Sequence, residues 1–205
     1  MESQYEIIVR TTSNLFQQYG VRSVSIDDVC KKLQISKKTF YIYFQQKEDL
    51  VDAVLTYLDK IHLEKFSKLL QNKNAIEAFL VILREIKKNV DTEPKLMWHD
   101  IEKYYPKVYE RNELKKRDFM IKGFEANLKQ GIEEGYYRED LDVELISLFT
   151  STQLRSLFNL MIQSKKKYTQ KRWVEFFIDL TIHIIANEKG LKYMNENYTS
   201  TEINN

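Results

Sequence analysis

The chain is poor in the residues that cross-link or interrupt secondary structure. It has one cysteine, Cys30, in 205 residues. A lone cysteine excludes an intrachain disulfide framework and fits a reducing compartment. Glycine (5) and proline (2) are scarce. An all-β fold needs a turn about every 8–12 residues, and these turn formers are too few to provide them. Long apolar runs are missing too. The most apolar region, 173–186, is broken by Glu175, Asp179 and His183, so it is not a membrane span. The N-terminal stretch MESQYEIIVR lacks a basic segment followed by an apolar one, so no signal peptide is expected and a cytoplasmic protein is.

Catalytic signals are equally sparse. His62, His99 and His183 lie far apart in the chain, without metal-ligand spacing. His183 follows Asp179 and Glu175 at helical spacing, which describes a solvated face better than a ligand stripe. There is no glycine-rich phosphate loop, no CxxC pair and no nucleophile motif. No enzyme, metal or cofactor is expected. Lys and Arg (32) nearly balance Asp and Glu (30), a net charge of +2. Binding to nucleic acid would therefore rest on a local patch.

What is present is helical period. Ile8, Leu15, Phe16 and Tyr19 mark one face of a first helix, with Gly20 placed for a left-handed C-terminal cap. Ser25 and Asp28 resemble a capping box opening a second helix, whose buried stripe is Ile26, Val29, Cys30 and Leu33. A turn at Gln34-Ile35 follows. Ser36 then caps a third, short helix running to about Tyr43, with Phe40 and Phe44 inward at i and i+4.

A long fourth helix begins near Gln46, with Leu50, Val54, Leu58, Ile61, Lys65 and Leu69 on one side. Further helices are expected over 75–90, from Pro94 to before Pro106, over 109–134 with Gly135 closing it, over 143–163 and over 170–187. The predicted architecture is all-α with about nine helices. A helix-turn-helix head occupies 1–46, a helical bundle 47–190, and a polar tail, expected to be disordered, 191–205.

The segment from Lys31 to Lys47 holds five lysines and no acidic residue, between Asp27-Asp28 and Glu48-Asp49. A helix pair with such a local field suits a DNA duplex, with one short helix in the major groove. Lys37, Lys38, Thr39, Tyr41 and Tyr43 are assigned to the DNA-facing side, beside the cap Ser36. Lysine provides phosphate affinity, threonine can meet a thymine methyl, and Lys38 can reach a guanine edge.

These residues resemble the TetR/AcrR family of transcriptional regulators. The resemblance spans about fifty residues. It runs through Leu15-Phe16, Gly20, Ser25-Ile26-Asp27-Asp28-Val29, Ile35-Ser36, Thr39-Phe40-Tyr41-x-Tyr43-Phe44 and Lys47-Glu48-x-Leu50. A fainter echo, Gly135-Tyr136-Tyr137-Arg138-x-Asp140-x-Asp142, resembles the family's link into its first dimerisation helix. Three positions depart from the pattern. Gln34 stands where the family often has glycine in the turn, Cys30 where alanine is common and Lys38 where glycine is common.

The resemblance implies a ligand-responsive regulator, a repressor by default, that binds a pseudo-palindromic double-stranded operator as a homodimer and is released by a small, partly apolar effector. It implies Lys47 as a phosphate anchor. The dimer face is expected on the last two helices, at Phe149, Leu157, Trp173, Phe177, Leu180 and Ile184, because 173–185 is apolar around most of its circumference. An effector pocket is expected at Trp98, Tyr104, Phe119, Gly123, Phe124 and Asn127. Two other classes compete: a helical protein–protein adaptor that has lost operator binding, and an enzyme on a helical bundle.

Overall fold

The computed structural model describes residues 2–92, 94–163 and 169–198, without the side chains of 86–92, 155, 157–163, 170 and 171. Among the described residues there are ten helices and no strand. They are α1 (Gln4–Tyr19), α2 (Ile26–Leu33), α3 (Lys37–Tyr41), α4 (Lys47–Leu70), α5 (Ala75–Thr92), α6 (Lys95–Tyr104), α7 (Pro106–Glu133), α8 (Val143–Gln163), α9 (Gln170–Ile185) and α10 (Glu188–Asn197). None of them is long and apolar enough to cross a membrane.

The chain forms two compact units. One contains residues 1–65 and 93–115, the other 66–92 and 116–205. A boundary at residue 46 therefore does not follow the packing. The head shares its core with the first part of α4 and with α6: Phe16, Val29, Phe40 and Phe44 pack with Leu50, Val54, Met97 and Ile101. No local signal marks α6 as part of that core, because it is brought there only by tertiary contact.

In the first unit, α1 opens with a complete capping box between Ser3 and Glu6. It buries Ile8, Val9, Thr12, Ser13 and Phe16, whereas Tyr19 is exposed. Gly20 ends the helix at φ 79°, ψ 159°, outside the left-handed helical region that was expected. That conformation is essentially confined to glycine. The site is crowded as well, since an added Cβ would lie 2.7 Å from Asp100 Oδ2 and 2.8 Å from Leu96 Cγ. The burial of α4 is confined to its start, at Leu50, Val51, Val54 and Leu55, and Ile61 is exposed. Arg111 donates to Asp52 at 2.7 Å and Asn112 to Asp59 at 3.2 Å, fastening the start of α7 to α4.

The second unit is built around α5 and α9, with Ile76, Phe79, Leu80 and Leu83 against Phe177, Ile178, Ile182 and Ile185. Tyr137 is fully buried in it. Its hydroxyl donates to Asn127 Oδ1, and Asn127 donates in turn to the Ala75 carbonyl at 2.8 Å. Burying these polar groups is tolerable because each finds a partner.

The tail expected to be disordered from 191 forms a helix as far as Asn197. Asn187 caps α10 by accepting from the Gly190 N–H, and Tyr193 docks it by accepting from Asn74 and donating to Glu77. Polar composition concealed a helix whose order comes from its cap and from contacts with α5. Residues 199–205 lie outside the described residues.

Candidate nucleic-acid interface

The helix pair forms through its caps. The Ser25 hydroxyl accepts from the Asp28 N–H at 3.1 Å, and Asp28 Oδ2 accepts from the Ser25 N–H at 2.8 Å. The capping box is complete, so aspartate at its third position is long enough. The Ser25 hydroxyl also donates to Asp28 Oδ2 at 2.6 Å, and this bond, with that from the Ser25 N–H, holds the Asp28 carboxyl below the usual aspartate pKa. In the turn Gln34 sits at φ 56°, ψ 38°, in the left-handed helical region. Its N–H and that of Ile35 return to the last carbonyls of α2. Ser36 then caps α3 by accepting from the Thr39 N–H at 3.0 Å.

This local geometry divides the short helix into two sides. Phe40 and Phe44 are buried, their ring centroids 5.4 Å apart. Ser36, Lys37, Lys38, Tyr41 and Tyr43 are exposed and Thr39 is half-buried. The sequence-predicted residues from Ser36 to Tyr43 are therefore together on the outer side of one short element. Thr39 is more committed than expected, because its hydroxyl lies 2.9 Å from the Ser36 hydroxyl. Lys37 is paired with Asp27 at 2.7 Å, which holds its ammonium above the ordinary lysine pKa. Lys38 is exposed and forms no ion pair among the described residues.

Lys47 differs from a free surface lysine. Its Nζ donates to the Val21 carbonyl at 2.6 Å and lies 5.9 Å from the Phe16 ring centroid. Burial pushes its pKa down, against the opposing pull of Asp100 and Asp28. The side chain ties the start of α4 to the turn after α1. That bond uses one of its three ammonium donors. Cys30 is buried, and burial pushes its thiol pKa up.

Two residues near this surface were missed from sequence. Ile42, just past α3, is 72% exposed, and Tyr5 of α1 stacks on Phe44 with ring centroids 5.2 Å apart. The position of Ile42, four residues after Lys38, was a signal available in the spacing. Tyr5 had none.

The residues expected to line an effector pocket are divided between the two units. Trp98 packs on the first core, and the Tyr104 hydroxyl accepts from Arg22 at 2.9 Å. Phe124 and Asn127 belong to the second core, Phe119 is half exposed, and the space beside Gly123 is open.

A cleft of about 170 Å³ lies between α8 and α9, where Phe149, Trp173, Phe176, Phe177, Leu180 and Ile184 contribute walls. Five of the six residues expected at a dimer face line it. Among these, Phe149 and Leu180 are exposed, Trp173 and Ile184 are partly buried, and Phe177 is buried in the core. The side chain of Leu157 lies outside the described residues. Phe176, 53% exposed, lines the cleft as well.

The caps, the turn at Gln34 and the two-sided α3 make a helix-turn-helix head, carried on a chain that is helical throughout its described elements. Residues 8–54, the head and the start of α4, match the model for bacterial regulatory proteins of the tetR family. The chain is 40% identical over 57 residues to the HTH-type transcriptional regulator YuxN of Bacillus subtilis, a match covering 28% of this chain and only 20% of that relative. It is 26% identical over 160 residues to the HTH-type transcriptional repressor KstR2 of Mycobacterium tuberculosis, covering 69% of this chain and 73% of that one. The fold of a transcriptional regulator from Cytophaga hutchinsonii superposes with a TM-score of 0.76 at 12% identity, over 91% of this chain and all of the other.

Proposed function

We propose that the chain binds a pseudo-palindromic operator as a homodimer and represses transcription until a small molecule releases it. The observation that carries the reading is the two-sided short helix: Phe40 and Phe44 anchor it inward while Lys38, Tyr41 and Tyr43 stand outward in a segment without acidic residues. Lysine contacts to phosphate then provide affinity, and the remaining outward side chains meet base edges or phosphates.

One head reads one half-site, so a palindromic operator calls for two. The exposed apolar side chains of α8 and α9 suit a second copy of this chain, which would fill the cleft between them. Release by an effector follows if the effector prefers a form of the dimer whose heads no longer match the half-site spacing. Its effect is then limited to its differential affinity for the two forms. Repression rather than activation is favoured by the likeness to a relative named as a repressor.

The test is selection of duplexes from a random pool, followed by salt titration of the winning sequence. Two inverted half-sites and a steep salt dependence are expected. Lys38→Ala should either flatten the salt slope by about one ion, marking a phosphate contact, or relax selection at one guanine. An adaptor without operator binding would select nothing and would show no salt-dependent affinity for duplex.

A further inference from the structure

Ile42 is an apolar side chain that folding of the head does not account for. It is 72% exposed, the most exposed large apolar residue among those described. Its neighbours Tyr41 and Tyr43 are also exposed, but each leans on a ring of the head. Tyr41 lies edge-on to Phe40 at 5.6 Å, and Tyr43 lies 6.4 Å from Tyr5. Ile42 is absent from the partly buried residues packed on that core.

The backbone places it on the working side of the element. Ile42 has helical dihedrals, φ −65° and ψ −32°, and its N–H donates to the Thr39 carbonyl. It therefore continues the helical path, three residues after Thr39 and four after Lys38, and shares a face with both. Phe40 points the other way, into the core. Thr39, the other residue on this face with a methyl group, is half-buried and has its hydroxyl committed to Ser36.

We propose that Ile42 determines sequence specificity by packing on the 5-methyl group of a thymine in the major groove, once in each half-site. This rests on the reading of the head as a duplex-binding surface. The lysines around Ile42, with no acidic residue from Lys31 to Lys47, fit a polyanion. The thymine methyl is the one apolar group that the bases present on the major-groove floor. A branched aliphatic side chain among cations matches that combination. A phosphate contact would be served better by another lysine.

The experiment uses the full chain and the duplex selected from a random pool. Each thymine is replaced in turn by uracil, which deletes the methyl and keeps every hydrogen-bonding group. The expected result is a loss of about three- to fivefold in affinity at one thymine per half-site, the effect of one methylene-sized apolar contact. Ile42→Ser should lose the same factor on the thymine duplex and become indifferent to the uracil replacement, with its salt slope unchanged. A flat uracil scan with salt-dependent binding intact would overturn the role of Ile42 and leave the DNA-binding reading standing. Sensitivity of Ile42→Ser equal to that of the parent chain would do the same. Absence of any salt-dependent duplex binding would overturn both.

Discussion

The carboxylate of Asp100 accepts the backbone N–H of Arg22 at 2.8 Å, across 78 positions of sequence. Asp100 is 4% exposed, on α6, and the bond holds the turn between α1 and α2. One residue earlier, the Val21 carbonyl accepts Lys47. The turn is thus pinned from α6 and from α4 within a few atoms. Asp100→Ala would leave the Arg22 N–H without its partner, a loss of about 1–3 kcal/mol. Asp100→Asn keeps an acceptor oxygen and should lose clearly less. Urea unfolding of the two variants measures the difference, and equal losses would mean that the carboxylate charge, not the hydrogen bond, is what matters.

The strain at Gln34 offers a gain rather than a loss. A non-glycine residue at φ 56°, ψ 38° costs about 1–2 kcal/mol against right-handed geometry, and glycine avoids it. Glycine also makes the unfolded chain more flexible, which returns about 0.4–1 kcal/mol. Gln34→Gly should therefore stabilise by about 0.5–1 kcal/mol net, visible as a higher urea midpoint at unchanged slope. A lower midpoint would show that the Gln34 side chain has a compensating interaction.

The parts of the molecule that could be read from sequence are those set by neighbours a few residues apart. Ser25 with Asp28, Ser36 with Thr39 and Phe40 with Phe44 each lie within one helical turn, and the structure forms all three pairs. Glycine at position 20 was legible as a helix end, but not its actual conformation, which follows from the close approach of Leu96 and Asp100. The hydrogen bond from Lys47 to Val21 spans 26 positions, and Tyr193 reaches Glu77 across 116. No local pattern carries such information. The surroundings of the residues expected at a pocket were illegible for a related reason. Helical spacing shows which residues share a face, but not whether that face meets solvent, as Phe119, or the core, as Phe124.

The caps of α1 and α2 make stability sensitive to acid. Asp28 is held below its ordinary value of 3.8 by hydrogen bonds from the Ser25 side chain and backbone. Glu6 is held below 4.5 by the Ser3 backbone and side chain. A folded pKa lower than the unfolded one contributes stability above the unfolded value. That contribution is lost as the pH falls through the folded value. Asp28→Ala should thus melt at a lower temperature than the parent at neutral pH. The gap should close as the pH drops below 3.8 and the parent's carboxylate is protonated. Thermal melts followed by circular dichroism at several pH values check this. A gap that stays constant through the acid range would show that the cap does not depend on the charge of Asp28.

The α8 and α9 face allows a dimer test that separates interface from core. Phe177 is 5% exposed and packs among Phe79, Ile178 and Ile182, so Phe177→Glu should unfold the second unit and say nothing about association. Leu180 is 44% exposed, on the wall of the cleft. A glutamate there is hydrated in a monomer. In a covered interface it is forced out of water, a cost well beyond the roughly 1.5–3 kcal/mol that a fully buried leucine contributes. Leu180→Glu should therefore keep the parent's helical signal yet sediment as a monomer where the parent sediments as a dimer. The same variant should bind a single half-site and the full operator with similar, weak affinity, because the second head is no longer tethered. A dimer that survives the substitution, with helicity intact, would move the contact between copies away from this cleft.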